Sequence, residues 1–556
     1  MTRPKTSAKA DPTPAATTRA ASRGWVSFVG GGPGDPGLLT LRAAELLRSA
    51  DVVITEAPYH EAMVRAVIAQ ADPDAVADGP VFVDGGFGED GQPLTHAARA
   101  KVVCREGKKG GHVVRLMVGD PFIYASGPEE AQACVKAGLG LEIVPGISSA
   151  LGVPAYAGIP LTDRDSREVT ILNAAERVDW ACFADDRTLV LLSSVGPINE
   201  VASALIEAGR DPETPVAMTC DGTITDQGTV VSTLANIASD VRASRMSPPA
   251  ITVVGDVVNL RESLSWFETK PLFGWRVLVP RTKDQAGALS AKLRVHGAVP
   301  EEVPTISVEP PRNPQQMDKA IRGLVEGRYE WIAFTSVNAV KAVREKFEEY
   351  GLDARAFSGL KIAAVGEKTA AAIGAWGLRA DLMPSGEQSA AGLLADWPEF
   401  DELLDPINRV FLPRADIATE NLVAGLIDLG WECDDVTAYR TVRAAPPPAP
   451  TRDAIKTGKF DAVVFTSSST VRNLVGIAGK PHPSTVIAVI GPATAKTAEE
   501  HGLRVDVLAP KPDIDVLVDA LADFGATRRL AMVEAGQTVT KPSERKPSAR
   551  RKASSK

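Results

Sequence analysis

Cysteine, histidine and aromatic residues are scarce in this chain of 556 residues, which has 5 cysteines, 6 histidines and 5% aromatic residues. The cysteines form no C-x-x-C pair, so we expect no metal site, no secreted disulfide framework and a reducing, cytoplasmic location. Few aromatic side chains and a formal net charge of −9 argue against a nucleic-acid partner. No apolar run reaches 18 residues, and we therefore expect no membrane contact.

Both ends of the chain are predicted to be disordered tails. Residues 1–23 are rich in Ala, Thr, Pro and Ser and lack the apolar core of a secretory signal. Residues 537–556 carry many Lys and Arg residues and are predicted to form a solvated basic tail rather than a specific nucleic-acid site.

Short β-branched runs alternate with alanine-rich helical stretches along the chain. WVSFVG, VVRLMVG, LEIVPG, TLVLLSS and AITVVG each end in Gly or Ser and lead into a polar or helical segment. This pattern predicts an α/β fold with ligands gathered at the carboxyl ends of the strands. A fresh strand, WRVLVPR, starts after Gly274, so the main domain boundary is predicted near residues 268–274.

The second half contains an internal repeat. WIAFTSVNAV at 331–340 corresponds to AVVFTSSSTV at 462–471, and IAAVGEKTAAAI at 362–373 corresponds to IAVIGPATAKTA at 487–498. A third match pairs residues 277–308 with 410–442. Two copies of one βαβα unit predict two similar lobes, and a cleft between duplicated lobes is a common ligand site.

A glycine-rich loop, VGGGPGDP at 29–36, follows the first predicted strand and precedes a helix. Missing side chains let a ligand approach the backbone closely, although a tight structural turn has the same requirement. The loop is not a dinucleotide fingerprint, because Asp35 occupies the place of the third glycine. It is not a P-loop either, because no Gly-Lys-Ser/Thr follows.

VGGGPGDPGLLTLRAAELL at 29–47 resembles the opening motif of the uroporphyrinogen-III C-methyltransferases, within the tetrapyrrole methylase family. The resemblance continues in order through VVRLMVGDPFIYASGPEE at 113–130, VPGISSALGVPAYAGIPLTDR at 144–164 and PAITVVGDVVNLRESLSWF at 249–267. It implies a methylase domain over residues 24–268, with two α/β subdomains and S-adenosylmethionine bound in the cleft between them. Because methylases of this family are often dimeric, the resemblance also implies a possible homodimer through this domain.

The resemblance implies a cofactor site built from small residues and backbone groups, in which Asp120 is suited to a cation or hydroxyl but equally to capping a turn. A family aspartate corresponds to Glu56, which we place among the catalytic residues. A family lysine corresponds to Gly85 and a family arginine to Ser126, so two cations suited to a polycarboxylate substrate are absent there. The predicted cofactor-binding residues are Pro33, Gly119, Asp120, Ile123, Ser149, Ala150, Ala217, Pro248 and Ala250.

Residues 274–536 resemble uroporphyrinogen-III synthase, through the paired motifs of the repeat and through LPRAD at 412–416 and GWECDDVTAYRTV at 430–442. The resemblance implies two α/β lobes on a two-stranded hinge, lobe one from 274–309 and 443–536 and lobe two from 310–441. It implies no cofactor. The implied substrate, hydroxymethylbilane, loses its terminal hydroxyl to give an azafulvene cation, and a spiro intermediate then inverts the last ring. Because the azafulvene closes spontaneously to the wrong isomer, orientation is the main catalytic task.

Tyr439 corresponds to the family tyrosine proposed to assist departure of the hydroxyl, and a phenol can donate that proton. A tyrosine that only packs in the hinge is the alternative. Hydroxyl side chains at the strand-to-helix turns suit carboxylates but also serve as helix caps, and the two Pro-Arg arginines suit carboxylates or surface salt bridges. The predicted substrate-binding residues are Arg281, Thr335, Ser336, Thr369, Arg414, Thr466, Ser468 and Thr494.

These motifs predict a fused enzyme of tetrapyrrole biosynthesis, with small tetrapyrroles as its partners. It forms uroporphyrinogen III and methylates it with S-adenosylmethionine towards precorrin-2. One alternative is a synthase whose methylase-like half is only a cofactor-binding or structural module. A second is a hinged two-lobe ligand-binding protein of the periplasmic type, against which the lack of a signal sequence argues.

Overall fold

The computed structural model describes residues 24–71, 79–88, 91–281, 283–416 and 421–544. These residues form two units, one ending at Gly274 and the other beginning at Trp275. The predicted tail at 1–23 lies outside the described residues, as do residues 545–556. Residues 537–544, predicted to be disordered, are instead fixed to the second unit, because the N–H of Ser543 donates to Asp461 Oδ1 at 2.9 Å.

Strands and helices alternate through the first unit. Its described strands are β1 (Trp25–Gly30), β2 (Val52–Thr55), β3 (Val81–Asp84), β4 (His112–Met117), β5 (Gly140–Val144), β6 (Val169–Asn173), β7 (Thr188–Leu192), β8 (Pro215–Cys220), β9 (Gly228–Thr233) and β10 (Ala250–Val254). Its described helices are α1 (Leu41–Arg48), α2 (His60–Ala71), α3 (His96–Lys108), α4 (Gly127–Lys136), α5 (Ser149–Ala157), α6 (Ile198–Glu207), α7 (Ile237–Ala243) and α8 (Arg261–Leu264).

The first sheet of this unit has the order β3-β2-β4-β1-β5, with every neighbouring pair parallel. All of β4 and most of β1 is buried, because both strands lie inside the sheet and pack against helices. Parallel strands are joined by crossover connections, so the carboxyl ends of β1, β2, β4 and β5 reach the same edge. We call the loops that follow these four strands the first carboxyl edge.

The second sheet of this unit is mixed, with the order β6-β7-β10-β8-β9. Only β6 and β7 are parallel, and the other pairs are antiparallel. Apolar residues on one face pack against α6 and α7, and α5 packs on the other face through Val153 and Ala157. Because α5 also starts at the first carboxyl edge, it joins the two subdomains.

The second unit repeats the alternation. Its described strands are β11 (Arg276–Arg281), β12 (Val299–Pro304), β13 (Ile306–Glu309), β14 (Trp331–Phe334), β15 (Lys361–Ala364), β16 (Arg409–Ala415), β17 (Glu432–Arg443), β18 (Ala462–Phe465), β19 (Val486–Val489) and β20 (Val507–Leu508). Its described helices are α9 (Lys283–Val295), α10 (Pro314–Val325), α11 (Val337–Glu349), α12 (Glu367–Ala375), α13 (Ala390–Ala395), α14 (Asn421–Asp428), α15 (Ala449–Lys456), α16 (Ser468–Ala478), α17 (Pro492–Glu500) and α18 (Ile514–Glu534). In the described parts of both units, no helix combines the length and the apolar character that crossing a membrane requires.

Two sheets form the two lobes of the second unit. Lobe one has the all-parallel order β12-β11-β18-β19-β20, and lobe two has the order β13-β17-β16-β14-β15, in which only β13 is antiparallel. The succession β14-α11-β15-α12 in lobe two matches β18-α16-β19-α17 in lobe one. This correspondence confirms the predicted duplicated α/β fold.

The chain passes between the lobes twice, along adjacent segments. It leaves lobe one after β12 and returns after β17, where the N–H of Ala444 donates to the carbonyl of Thr305 at 3.3 Å. The lobe boundary was predicted near residue 309. In the structure β13 already belongs to lobe two, because Ile306 begins an antiparallel ladder opposite Arg443.

Candidate active sites

Four glycines hold the loops of the first carboxyl edge in direct backbone contact. A Cβ added to Gly30 would lie 2.5 Å from the Cα of Gly146, and one added to Gly146 would lie 2.2 Å from the carbonyl oxygen of Gly119. Gly119 and Gly32 exchange two backbone hydrogen bonds, at 2.9 and 3.2 Å. The sequence suggested close approach of a ligand as the reason for glycine. At Gly30 and Gly146 the reason is close approach of neighbouring loops.

Asp120 ties two of these loops together. Its Oδ1 accepts the N–H of Phe122 at 2.8 Å, and its Oδ2 accepts the N–H of Gly146 at 3.0 Å. These contacts match the turn-capping role that was the alternative for Asp120. The following side chains, Phe122 and Ile123, are 50% and 44% exposed and form an apolar surface beside the loop. Tyr124 extends from the same loop to the second subdomain, where its hydroxyl donates to the carbonyl of Ile171 at 2.8 Å.

Glu56 follows β2, and both of its carboxylate oxygens are occupied. Oε1 accepts from Arg99 Nη1 at 3.0 Å, and Oε2 accepts the N–H of Val118 at 2.9 Å. This carboxylate therefore fixes the start of the loop after β4 and neutralises a cation from α3. An acid–base role for Glu56 stays a prediction, since it requires one of these bonds to open.

A buried ion pair lies directly behind Glu56. Arg115 and Glu130 are both fully buried, and Arg115 Nε donates to Glu130 Oε2 at 2.8 Å. Ser126, where the resemblance predicts the loss of a family arginine, donates its hydroxyl to Glu130 Oε1 at 2.5 Å. At Gly85, where the resemblance predicts the loss of a family lysine, an added Cβ would lie 2.5 Å from Ile54 Cγ2 and 3.1 Å from Arg115 Nη1. The cation nearest to the two altered positions is thus paired inside the protein.

His60 starts α2 and lies beneath the glycine-rich loop. Its ring is fully buried, Nδ1 accepts the N–H of Glu56 at 3.2 Å, and Nε2 has no partner among the described residues. A Cβ on Gly31 would lie 3.4 Å from that Nε2. Burial, and secondarily the charge of Arg115, lowers the pKa of His60 to about 4, so the ring is neutral at physiological pH.

In the second unit, Tyr439 lies where β17 is irregular. Its pairing with β16 shifts between Arg414 and Ala415, which leaves Ala438 without a counterpart. Such a bulge changes the face to which the next side chain points, and Ala438 and Tyr439 are consequently buried in one apolar cluster. The phenol oxygen of Tyr439 lies 2.9 Å from Ser336 Oγ. The structure therefore brings two predicted site residues together.

The two copies of the repeat begin their helices with the same geometry. Ser336 caps α11 by accepting a backbone N–H at 3.1 Å, and Ser467 caps α16 in the same way at 3.3 Å. Ser468, the residue predicted from the sequence, is instead the first residue of α16 and donates its hydroxyl to the carbonyl of Ala493 at 3.0 Å. Aligning the repeat gives Ser467 as the counterpart of Ser336.

The second helix of each copy begins at a glycine. Gly366 precedes α12 and Gly491 precedes α17, and neither supplies a side-chain cap. Thr369 and Thr494 are buried inside these helices, so the capping alternative does not apply to them. Gln388 accepts the first N–H of α12 at 3.3 Å and covers that helix start, a contact with no signal in the local sequence.

The remaining predicted substrate residues differ in their surroundings. Thr335 and Thr466 directly precede the two capping serines and are half-buried. Arg414 is 7% exposed and donates through Nε and Nη2 to the carboxylate of Asp435, so its charge is paired within lobe two. The side chain of Arg281 lies outside the described part of the structure.

Two protein families match the chain in succession. Residues 26–238 match the tetrapyrrole (corrin/porphyrin) methylases, and residues 287–519 match uroporphyrinogen-III synthase HemD. The porphyrin biosynthesis protein HemD of Ruminiclostridium josui is 32% identical over 514 residues, which cover 90% of this chain and 98% of that protein. The chain belongs to the HemD family of porphyrin biosynthesis proteins. The predicted fusion of a methylase with a synthase is confirmed.

This chain is an enzyme of tetrapyrrole biosynthesis, and we call its two parts the methylase unit (24–274) and the synthase unit (275–544). The S-adenosyl-L-methionine-dependent uroporphyrinogen III methyltransferase of Methanosarcina barkeri is 40% identical over 250 residues, covering 43% of this chain and 94% of that protein. A crystal structure of uroporphyrin-III C-methyl transferase from Thermus thermophilus, complexed with S-adenyl homocysteine, is 30% identical. It covers 43% of this chain and 100% of its own, with a TM-score of 0.35.

The predicted cofactor residues of this chain fall into two groups. Pro33, Gly119, Asp120, Ile123, Ser149 and Ala150 share the first carboxyl edge, where α5 begins. Ala217 and Ala250 lie on opposite faces of the second sheet, because Ala217 packs against Ala157 whereas Ala250 belongs to the cluster beneath α6 and α7. Their side chains therefore do not line one surface. Pro248 is exposed just before β10.

Acid is expected to destabilise the methylase unit through His60. Folding lowers the pKa of this ring from 6.5 to about 4, so the unfolded chain binds the proton more tightly than the folded chain. Stability is therefore lost as pH falls from about 6.5 to 4. The total loss is about 3 kcal/mol. His60→Asn keeps an acceptor but cannot protonate, and it should flatten this part of the stability curve in urea unfolding of the full chain. His96→Asn, at an exposed histidine of the same unit, is the control and should leave the curve as in the parent. Equal slopes for both variants would contradict the assignment to His60.

Proposed function

We propose that this chain is bifunctional. Its synthase unit cyclises hydroxymethylbilane to uroporphyrinogen III with inversion of the last ring, and its methylase unit transfers methyl groups from S-adenosylmethionine to uroporphyrinogen III, towards precorrin-2. The observation that carries the proposal is the phenol of Tyr439, turned by the bulge in β17 towards Ser336 at the start of α11. Similarity to a methyltransferase at 40% identity supports the second activity.

In the synthase unit, the helix starts and Tyr439 have separate tasks. Helices α11, α12, α16 and α17 begin directly after parallel strands, and their N-termini favour carboxylates such as those of the substrate. Held in this way, the linear tetrapyrrole is oriented for attack on the substituted carbon of its last ring. Tyr439 donates a proton to the departing hydroxyl, which leaves as water.

In the methylase unit, the first carboxyl edge fits S-adenosylmethionine. Gly119, Ala150 and Pro33 leave backbone groups as the polar contacts for the amino-acid portion, and the exposed Ile123 and Phe122 offer apolar surface to the adenine. When bound, the ligand supplies an electrophilic methyl group. The proposed part of this chain is to hold it, with Asp120 fixing the loop by its two backbone bonds. A homodimer through this unit stays a prediction.

A second candidate function is supported by the charges behind this edge. Gly85 and Ser126 stand where the family has cations, and the two arginines nearby, Arg99 and Arg115, are paired with Glu56 and Glu130. A substrate with eight carboxylates needs unpaired cations or N–H groups. The methylase unit would then bind S-adenosylmethionine without transferring its methyl group to uroporphyrinogen III.

One experiment separates these functions. The full chain is incubated with hydroxymethylbilane, with and without S-adenosylmethionine, and isomers I and III and methylated products are resolved by chromatography. We expect isomer III, and methylated products only with the cofactor. Tyr439→Phe should lower kcat for isomer III by about 100-fold, the lower end of what a positioned proton donor contributes. Isomer I alone from the parent chain would refute the synthase function. Cofactor binding without methylation would favour the second candidate.

A further inference from the structure

Either hydroxyl could donate in the contact between Ser336 and Tyr439, and the surroundings of Ser336 favour donation by the serine. Ser336 Oγ already accepts the N–H of Ala339 at 3.1 Å at the start of α11. An accepted hydrogen bond polarises a hydroxyl and makes it a stronger donor. Among the described residues, the acceptor that the structure places within reach of the Ser336 hydroxyl hydrogen is the Tyr439 phenol oxygen, at 2.9 Å.

We propose that Ser336 is a positioning residue that donates its hydroxyl hydrogen to Tyr439, leaving the phenol hydrogen free for the departing hydroxyl of the substrate. This inference rests on the proposed synthase function. The C–O bond of the hydroxymethyl group breaks with its electron pair going to oxygen, and the phenol proton joins that oxygen to form water. Ser336 stabilises the resulting phenolate by its hydrogen bond. The proton released when the macrocycle closes returns to Tyr439.

The repeat supplies an internal comparison for this role. Ser467 occupies the corresponding position in lobe one and caps α16, but its Oγ lies 2.9 Å from Ser469 Oγ rather than from a phenol. A serine at this position is therefore sufficient to cap the helix without contacting a phenol. Capping does not explain the contact between Ser336 and the Tyr439 phenol, which depends on the bulge at Ala438 in lobe two.

The test compares single and double variants of the full chain with hydroxymethylbilane as substrate. Ser336→Ala should lower kcat about tenfold with KM unchanged, the effect of losing one hydrogen bond in the transition state. Ser336→Thr keeps the hydroxyl and should restore kcat. Because Ser336 acts through Tyr439, the double variant Ser336→Ala/Tyr439→Phe should be no slower than Tyr439→Phe alone.

A matched control removes a cap from the same lobe without touching the phenol. Asn313 is exposed and caps α10, accepting the N–H of Gln315 at 3.2 Å, so Asn313→Ala loses a helix cap of the same kind. It should lower the unfolding temperature about as much as Ser336→Ala while leaving kcat unchanged. The inference is overturned if Ser336→Ala keeps the parent kcat, if Ser336→Thr fails to restore it, or if the two losses multiply in the double variant. Failure of the parent chain to form isomer III would instead overturn the proposed synthase function.

Discussion

Replacing Glu130 with glutamine is expected to destabilise the methylase unit by about 3–5 kcal/mol, the usual cost of breaking a fully buried ion pair. Glutamine has nearly the same shape, but it removes the carboxylate nearest to the buried guanidinium of Arg115 and leaves it the more distant Glu56, whose Oε1 is 3.9 Å away. It also replaces an oxygen that accepts from Ser126 at 2.5 Å. The loss should appear in urea unfolding followed by hydrogen exchange of peptides from residues 24–274.

The neighbouring residue offers a matched control for this change. Glu129 lies beside Glu130 on α4 but is exposed, so Glu129→Gln should change stability by less than about 0.5 kcal/mol. Removing both charges with Arg115→Met and Glu130→Leu should recover much of the loss, because no unpaired charge then remains buried. If Glu130→Gln proves as mild as Glu129→Gln, the buried pair does not stabilise this unit.

Adding one methyl group at Gly146 is expected to weaken S-adenosylmethionine binding by about 5- to 150-fold, the equivalent of an overpacking strain of 1–3 kcal/mol. The new Cβ would lie 2.2 Å from the carbonyl of Gly119 and 2.7 Å from the Cα of Gly30, and both obstacles are backbone. The loops must therefore separate, which displaces Asp120 because its Oδ2 accepts the Gly146 N–H. Titration calorimetry of Gly146→Ala with S-adenosylmethionine measures the loss.

Two controls show whether a loss of binding in Gly146→Ala is specific to the contact between these loops. Gly196 lies in the same unit with no atom within 4 Å of an added Cβ, so Gly196→Ala should bind the cofactor as the parent does. The Tyr439 site belongs to the other unit, so isomer III formation by Gly146→Ala should persist. Unchanged cofactor affinity in Gly146→Ala would show that the contact of these loops does not shape the cofactor site.

Local patterns predicted a large part of the fold. The apolar run WVSFVG coincides with β1 (Trp25–Gly30), and the FTS motifs of the repeat mark where β14 and β18 end and helices begin. Such signals are local, because the length of an apolar run and the residue that caps the next helix set element boundaries. The family motifs then added the order of the domains.

The contacts that organise the two sites were not predictable in this way. The bulge at Ala438 arises from how β17 pairs with β16, and nothing within β17 itself specifies that register. The partners of Arg115 and Glu56 lie on other elements, so the sequence alone does not show that these charges are paired in the fold. Likewise, Cys104 and Cys134 are distant in sequence, yet their Sγ atoms lie 3.9 Å apart on adjacent helices.

The double passage between the lobes sets an order of events during synthesis on the ribosome. Strands β11 and β12 emerge first, but their sheet partner β18 follows about 160 residues later, which takes roughly 8–30 s at ordinary elongation rates. All five strands of lobe two are complete before then. Lobe two can therefore fold while the first strands of lobe one are still without their partner. The nascent chain must keep the open side of β11 from pairing elsewhere until β18 arrives.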